Sequence, residues 1–462
     1  MALATELEGK PRTIGIYAPN GVGWVIAQLA CAFAGKIVVP LPTFFSATQL
    51  GHVIRDASVE LILASELAAT LAIQSGIPTD VIDIRKQGTD LPDTIDGFGQ
   101  IIYTSGSTGQ PKGVRHQSGQ IAWSAAALGA ATGASASDSY LSVLPLPLLL
   151  ETICSIFIPA SIGAHTHFDI GLAERTGRGD VSGLAEAFET HRPTASVLVP
   201  QLLRYWVGEL QANGRAAPSS LRFVAVGGAP VPKQVANVAW NLGIPVHEGY
   251  GLSECCSVVA VNRPGERRPG TVGQPLNGLS VTIDGGEIVV DGPSITDGYL
   301  GQGAAKRPWR TGDLGEIDHD GFVTVHGRKD SLLVTAFGRN VSPEWIETML
   351  LADPRIAFCV VTGHGEAHLT SLLIPSPAGA VWFAGATPAE ILDLLSNRCS
   401  EAPAYAVPQA YVISSFEEAR ANQLISNGRP VRRNVGKYVQ ENSAASVAAL
   451  HASSLPTTKV QA

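Results

Sequence analysis

Between Thr104 and Val114 the chain reads TSGSTGQPKGV, with three glycines, four hydroxyl side chains and one lysine, Lys112. Uncovered backbone amides, hydroxyl donors and a point positive charge are the groups that close on a polyanion such as a phosphate chain. The spacing is not that of the G-x-x-x-x-G-K-[ST] loop, because Gly113 follows the lysine. On residue chemistry alone, an ordinary hydroxyl-rich surface turn is the favoured reading. Further along, Gly249-Tyr-Gly-Leu-Ser-Glu254 places an aromatic ring between two glycines, with a carboxylate four residues on. Backbone bare of side chains admits close approach of a ligand, and Glu254 offers a hard oxygen for a cation, while a core tyrosine and a solvated carboxylate are the plain alternative. Asp313, in Arg310-Thr-Gly-Asp-Leu-Gly315, can accept two neighbouring hydroxyls.

Other residues are less suited to chemistry. His165 and His167 alternate as on a strand, with no third ligand evident in the sequence. Arg267-Arg268 reads as a solvated charge pair, and nothing marks Ser253 as a nucleophile. The six cysteines form no CxxC pair, and Cys255 and Cys256 are adjacent, too close for an ordinary disulfide. They read as buried thiols of a reducing compartment, the cytoplasm. Lys+Arg total 32 against 40 Asp+Glu, a formal charge of −8 that gives no footprint for nucleic acid or an anionic membrane. Apolar residues at 45% and charged ones at 16% exclude disorder. The first dozen residues lack a signal-peptide core, and Pro145 and Pro147 break the most apolar run, Leu141 to Leu150. No membrane insertion is expected.

The elements that must position these residues alternate. Strands are expected at Ile14–Tyr17, Ile37–Pro40, Glu60–Leu63, Ser196–Val199, Leu221–Val226 and around Val246, with helices over 21–34 and 47–57. Strand and helix in turn predict βαβ units and a largely parallel sheet. From about 270 short strands and glycine-rich turns predict an antiparallel, barrel-like portion: Ser280–Ile283, Glu287–Val290, Gly315–Asp318 and Phe322–His326. Beyond Gly327-Arg-Lys-Asp330 a compact α+β module is expected, with strands at Leu332–Val334, Ala357–Val361 and Thr370–Ile374 and a helix from Ser342. After Lys437 the Ala/Ser-rich composition reads as a loose tail.

TSGSTGQPKGV resembles the signature phosphate loop of the adenylate-forming superfamily: acyl- and aryl-CoA synthetases, peptide-synthetase adenylation domains and beetle luciferases. The remaining motifs answer in order. Val226-Gly-Gly-Ala-Pro230 resembles the adenine-flanking segment and Gly249-Tyr-Gly-Leu-Ser-Glu254 the aromatic-acidic motif. Arg310-Thr-Gly-Asp-Leu-Gly315 resembles the ribose-binding motif, Gly327-Arg-Lys-Asp330 the interdomain hinge, and Gly338-Arg-Asn-Val-Ser-Pro343 the loop that follows it. The match runs from about residue 14 to 435, and the segment before Ile14 is short for the family.

This resemblance implies an α/β fold. A large N-terminal domain over 1–327, with parallel sheets plus a small β-barrel, would carry a smaller mobile α+β domain over 331–440. Residues 328–330 would be the hinge and 441–462 a flexible tail. It implies an AMP-forming ligase that converts a carboxylic acid and ATP to an acyl adenylate and pyrophosphate. The acyl group then passes to a thiol: CoA by default, or the phosphopantetheine arm of an acyl or peptidyl carrier protein. ATP and AMP would be held by Thr104, Ser105, Gly106, Ser107, Thr108, Gly109, Gly227, Gly228, Ala229, Pro230, Gly249, Tyr250, Gly251, Leu252, Ser253, Asp313 and Arg328. Mg2+ would sit on Glu254 and Thr104, with Lys112, Glu254 and Arg429 catalytic and Lys329 and Asp330 in the hinge. Arg429 stands where many members have lysine, a planar fork in place of a point charge. The segment Leu144–Glu151 resembles LPLxHxxE of long-chain acyl-CoA synthetases with Leu148 in place of histidine, so Leu148, Glu151, Gly228 and Gly249 are placed at the acyl pocket. No Asp there would hold an α-ammonium, which points to a fatty or aryl acid. Transfer to an amine or hydroxyl, or nucleotide binding without catalysis, are the alternative outcomes of the same motifs.

Overall fold

A computed structural model describes residues 2–65, 76–82, 97–104, 111–177, 180–426 and 429–453, without the side chains of 426, 429 and 443–453. The chain packs as two compact units, one of Met1–Ala229, Asn237–Thr311 and Glu316–Thr324, the other of Pro230–Ala236, Gly312–Gly315 and Val325–Ala462.

In the first unit a short helix, α1 (Ala2–Leu7), precedes β1 (Thr13–Tyr17), α2 (Val22–Phe33), β2 (Ile37–Pro40), α3 (Ala47–Asp56), β3 (Leu61–Ala64), β4 (Thr79–Val81), β5 (Gly99–Thr104) and β6 (Lys112–Gln117). These strands form a six-stranded sheet in the order β4-β3-β1-β2-β5-β6, parallel except for the β5–β6 hairpin. β1 and β3 are continuous apolar runs because the sheet is covered on both faces. Ile14, Ile16 and Leu63 enter one cluster with Trp24 of α2, while Tyr17, Ile62 and Ala64 enter another with Val53 of α3. Ser46 starts α3 with a capping box closed by Gln49.

After α4 (Ser118–Ala131) come β7 (Ser139–Ser142), β8 (His165–Phe168), β9 (Ala195–Leu198), α5 (Pro200–Ala212), β10 (Phe223–Val226), β11 (Val246–Tyr250), β12 (Ala260–Val261) and β13 (Gln274–Pro275). They build a seven-stranded sheet, β13-β12-β11-β10-β9-β7-β8, parallel from β11 to β8 and antiparallel at the β12–β13 edge. The barrel-like portion is a four-stranded sheet in chain order: β14 (Ser280–Asp284), β15 (Glu287–Asp291), β16 (Trp309–Ile317) and β17 (Val323–Arg328).

The second unit holds a hairpin, β18 (Leu333–Val334) and β19 (Asn340–Val341), then α6 (Pro343–Leu350), β20 (Ile356–Thr362), β21 (Thr370–Pro375), α7 (Pro388–Arg398), β22 (Ala410–Ile413), the short pair β23 (Ile425–Ser426) and β24 (Arg429–Pro430), and α8 (Arg432–Ser453). Period-two alternation splits β20 between two cores. Cys359 and Val361 pack with Ile346 of α6 and Leu394 of α7, while Val360 packs with Val435 and Tyr438 of α8. α8 continues through 441–453, inside the stretch expected to be a tail; 454–462 lie outside the described residues. Alanine, which dominates that stretch, is the best helix former.

Asp353 shows how this small unit is braced. Its side chain is wholly buried, receives Arg355 at 2.8 Å and Arg398 at 2.9 Å, and its carboxyl is held down at about 2 although burial alone would raise it. A depressed folded-state value means stability present above the ordinary carboxylate range and lost as pH falls towards 2. Asp353→Asn is expected to cost about 1–2 kcal/mol at pH 7, after discounting the partly exposed arginines, and nothing near pH 2. Denaturant melts of both proteins at the two pH values check this.

Candidate active site

The glycine-bearing motifs of the first unit sit where parallel strands end. β10 and β11 run in register, Val226 beside Glu248, so Gly227, just past β10, and Gly249, in β11 beyond the last parallel pair, lie side by side. Ligands of open α/β sheets bind outside the carboxyl ends of the strands. A Cβ on Gly227 would lie 3.1 Å from the Gly249 carbonyl, and Gly228 has φ +84°. Ala229 closes this stretch, and Pro230 belongs to the second unit. Beyond β11, Leu252 leads into a 3-10 turn, Ser253–Cys255, and the chain folds back through Cys256 and Ser257, both at positive φ. The turn is so tight that a Cβ on Gly251 would lie 1.6 Å from the Ser257 carbonyl oxygen.

The hydroxyl-rich stretch is the loop of the β5–β6 hairpin. Thr104 pairs with Lys112 at its base, whereas Ser105, Gly106, Ser107, Thr108 and Gly109 lie outside the described residues. Lys112 Nζ stands 5.6 Å from the ring centroid of Tyr299, whose hydroxyl donates to Glu254 Oε1 at 2.6 Å. Lys112 and Glu254, expected to act together, are thus joined through a residue that the motifs did not single out. A signal was present: Gly298-Tyr-Leu-Gly301 brackets an aromatic with glycines, as Gly249-Tyr-Gly251 does. The His116 ring, near the Ser253 backbone, is buried. Desolvation lowers its pKa to about 4, outweighing the Ser253 backbone, so the ring is neutral at pH 7. The second oxygen of Glu254 has no hydrogen-bond partner among the described residues. A half-buried carboxylate with one oxygen anchored and one available fits a hard divalent cation such as Mg2+.

In the second unit, Asp313 is buried and Arg328 Nη1 donates to its Oδ1 at 3.0 Å. Gly312, at φ +73°, leaves room for that guanidinium, 3.2 Å from where a Cβ would stand. Lys329 and Asp330 are exposed in a 3-10 turn, Lys329–Ser331. Gly338 turns the β18–β19 hairpin at φ +71°. Arg429 pairs by its backbone with Ser426, and its side chain lies outside the described residues. Lys437 is exposed on α8.

The segment expected at the acyl pocket is helical over 149–162, with a π-helical turn at Ile153–Phe157. Leu148 stands before it, 40% exposed. Glu151 departs from expectation. It has no exposed surface, takes a hydrogen bond from Tyr140 Oη at 3.0 Å, and so faces the interior of the sheet rather than an open pocket. Burial pushes its carboxyl up to about 8, against hydrogen bonds involving Ser142, Tyr140 and the Leu144 backbone. His165 and His167 gain a third imidazole, His191, whose ring lies 5.1 Å from that of His167. Among the described residues, however, only Asp318, His319 and Asp320 bring three potential ligand atoms within 4.8 Å of one another, and Arg268 bonds both of those carboxylates.

A family model described as AMP-binding enzyme matches residues 2–300. A 2-succinylbenzoate–CoA ligase of Bacillus licheniformis is 28% identical over 434 residues, covering 86% of this chain and 85% of its own. A long-chain-fatty-acid–CoA ligase of Mycobacterium bovis is 25% identical, covering 78% and 72%. Among solved structures, an anthranilate CoA ligase in complex with anthranoyl-AMP superposes with a TM-score of 0.79 at 21% identity, over 96% of this chain and 91% of that one.

Proposed function

This chain belongs to the AMP-binding enzyme family and is an AMP-forming acid–thiol ligase, and from that premise we propose that its acid is an apolar monocarboxylate, fatty or aryl, and its thiol that of CoA. One observation carries the choice of acid. From Ser139 to Ile162 there is no Lys, Arg or His, and the one carboxyl, Glu151, is sealed away with no exposed surface. A second carboxylate on the substrate, such as 2-succinylbenzoate carries, would be desolvated there without a cation. An aliphatic chain or an unsubstituted ring has no such cost.

In this reading the acid's carboxylate attacks the α-phosphorus of ATP, the bond to the leaving pyrophosphate breaks, and an acyl adenylate forms. The thiol then attacks the activated carbonyl and AMP departs. Positioning and charge neutralisation are the protein's contributions. The loop from Thr104 to Lys112 cradles the phosphates, Gly227–Pro230 and Tyr250 flank the adenine, and Asp313 with Arg328 takes the ribose. Glu254 and Thr104 would hold Mg2+, which would supply positive charge against the phosphate oxygens. Arg429 offsets charge at the reacting centre, and residues 328–330 are the hinge on which the domain 331–440 turns against 1–327.

The test is pyrophosphate release from MgATP with a panel of fatty, aryl and dicarboxylic acids, with and without CoA. Release with one apolar class, and thioester formation when CoA is added, is expected. Preferred release with 2-succinylbenzoate would overturn the choice of acid. Adenylation without thioester would move the acceptor to a carrier-protein thiol or an amine. Binding of ATP with no release for any acid would favour a homologue without catalysis.

A further inference from the structure

We propose that Tyr299 is a positioning residue for Glu254: its hydroxyl fixes one carboxylate oxygen so that the other is presented to the metal ion of MgATP, and its ring keeps Lys112 off that carboxylate. The inference rests on the reading of Glu254 as the magnesium ligand.

The segment Ile295–Leu300 is strapped to both candidate motifs. The Thr296 amide donates to the Glu254 carbonyl at 2.8 Å, and the Thr296 hydroxyl to the Arg115 carbonyl at 2.7 Å. The Arg115 amide donates to Gly298 at 3.1 Å and the Leu300 amide to Gly113 at 2.7 Å, with a β-bridge between Val114 and Tyr299. Gln120 of α4 holds the strap from below, donating to the Ile295 carbonyl at 2.7 Å and to Asp297 Oδ1 at 2.9 Å. The backbone of Tyr299 is therefore locked to β6, the strand that leaves the phosphate loop, and Trp309 packs edge-on against the ring at 6.1 Å. With backbone and ring both held, the phenol oxygen has little freedom.

What that oxygen does follows from its distance. At 2.6 Å from Glu254 Oε1 it makes a short, charge-assisted hydrogen bond. The last torsion of a glutamate is broad and nearly two-fold, so an unanchored carboxylate would sample many orientations. The phenol selects one of them. Lys112 completes the arrangement. Its ammonium lies over the Tyr299 ring, 5.6 Å from the centroid, and makes no ion pair with Glu254. A lysine beside an accessible carboxylate in a half-buried site would otherwise pair with it and compete with the cation. The ring gives the ammonium a cation–π partner in place of the carboxylate.

The experiment titrates Mg2+ at fixed ATP in the full-length protein and follows ATP binding calorimetrically, with AMP binding in the absence of metal as reference. Tyr299→Phe keeps the ring and removes the hydroxyl. It is expected to raise the Mg2+ concentration at half-saturation by about tenfold or more, the scale of one lost hydrogen bond to a charged group. AMP affinity and thermal midpoint should be unchanged. Tyr299→Ala also frees Lys112 to reach Glu254, and should raise the Mg2+ requirement further. A Phe variant with the wild-type Mg2+ dependence overturns the proposal, as does one whose AMP affinity falls in parallel, since that would be general damage. If wild-type ATP binding itself shows no dependence on Mg2+, the assignment of Glu254 as magnesium ligand fails, and this inference fails with it.

Discussion

Replacing Gly251 with alanine is expected to lower pyrophosphate release by at least about a hundredfold, whereas the same change at Gly249 should cost only a few-fold. The two glycines flank the same tyrosine and look equivalent in sequence. Their surroundings are not. A Cβ on Gly249 would meet nothing nearer than the Ala260 carbonyl at 3.4 Å, an ordinary contact. On Gly251 it would lie 1.6 Å from the Ser257 carbonyl oxygen, 2.6 Å from its carbon and 2.8 Å from Val258 Cα. All three are backbone atoms, so relief requires one limb of the turn to move by more than an ångström. Hydrogen bonds from the amides of Cys255 and Ser257 to the Leu252 carbonyl, and from Val259 to Tyr250 at 2.8 Å, hold those limbs together. Any shift displaces Tyr250 and Glu254, the residues that bracket Gly251. ATP titration and pyrophosphate assays on both variants decide the matter. A Gly251→Ala enzyme with near-wild-type kcat/KM would show that this turn does not position the nucleotide site.

That contrast marks the boundary of what is legible in sequence. Strands such as β1, β2 and β10 announce themselves because apolar runs buried on both faces have no other use, and the glycine-rich motifs announce the loops at their ends. Register between distant segments is not written in any local pattern. Tyr299 owes its role to a strap that pairs with β6 across more than 180 residues, Arg115 to Asp297 being one such contact. Glu151 is a second instance. Its spacing from Leu144 placed it at a pocket, yet its carboxyl is captured by Tyr140 on the neighbouring strand β7. At 441–453 low complexity suggests looseness, yet the chain is helical there, as an alanine-rich composition favours.

Glu151 also gives the chain a pH-dependent weakness. Its carboxyl ionises near 4.5 when exposed but at about 8 in the folded protein, because burial penalises the anion more than its hydrogen bonds favour it. Between those values the unfolded chain has released a proton that the native state retains. Stability from this group is therefore full below about 4.5 and falls as pH rises, by about 1.4 kcal/mol per unit, until the native carboxyl ionises near 8. The groups facing it stay neutral throughout: burial raises the Tyr140 hydroxyl well above its ordinary value, and burial raises the Cys154 thiol likewise. Glu151→Gln keeps the shape and an acceptor for Tyr140 but cannot ionise. The variant should match wild type near pH 4.5 and exceed it by roughly 4 kcal/mol at pH 8, as read from denaturant midpoints. Glu151→Ala should be less stable than the Gln variant at every pH, because it leaves a cavity and an unpaired phenol in a sealed site. A wild-type-minus-Gln difference that stays constant from pH 5 to 8 would mean the carboxyl is already ionised in the native state. The reading of Glu151 as a neutral acid sealed against Tyr140 would then have to be withdrawn.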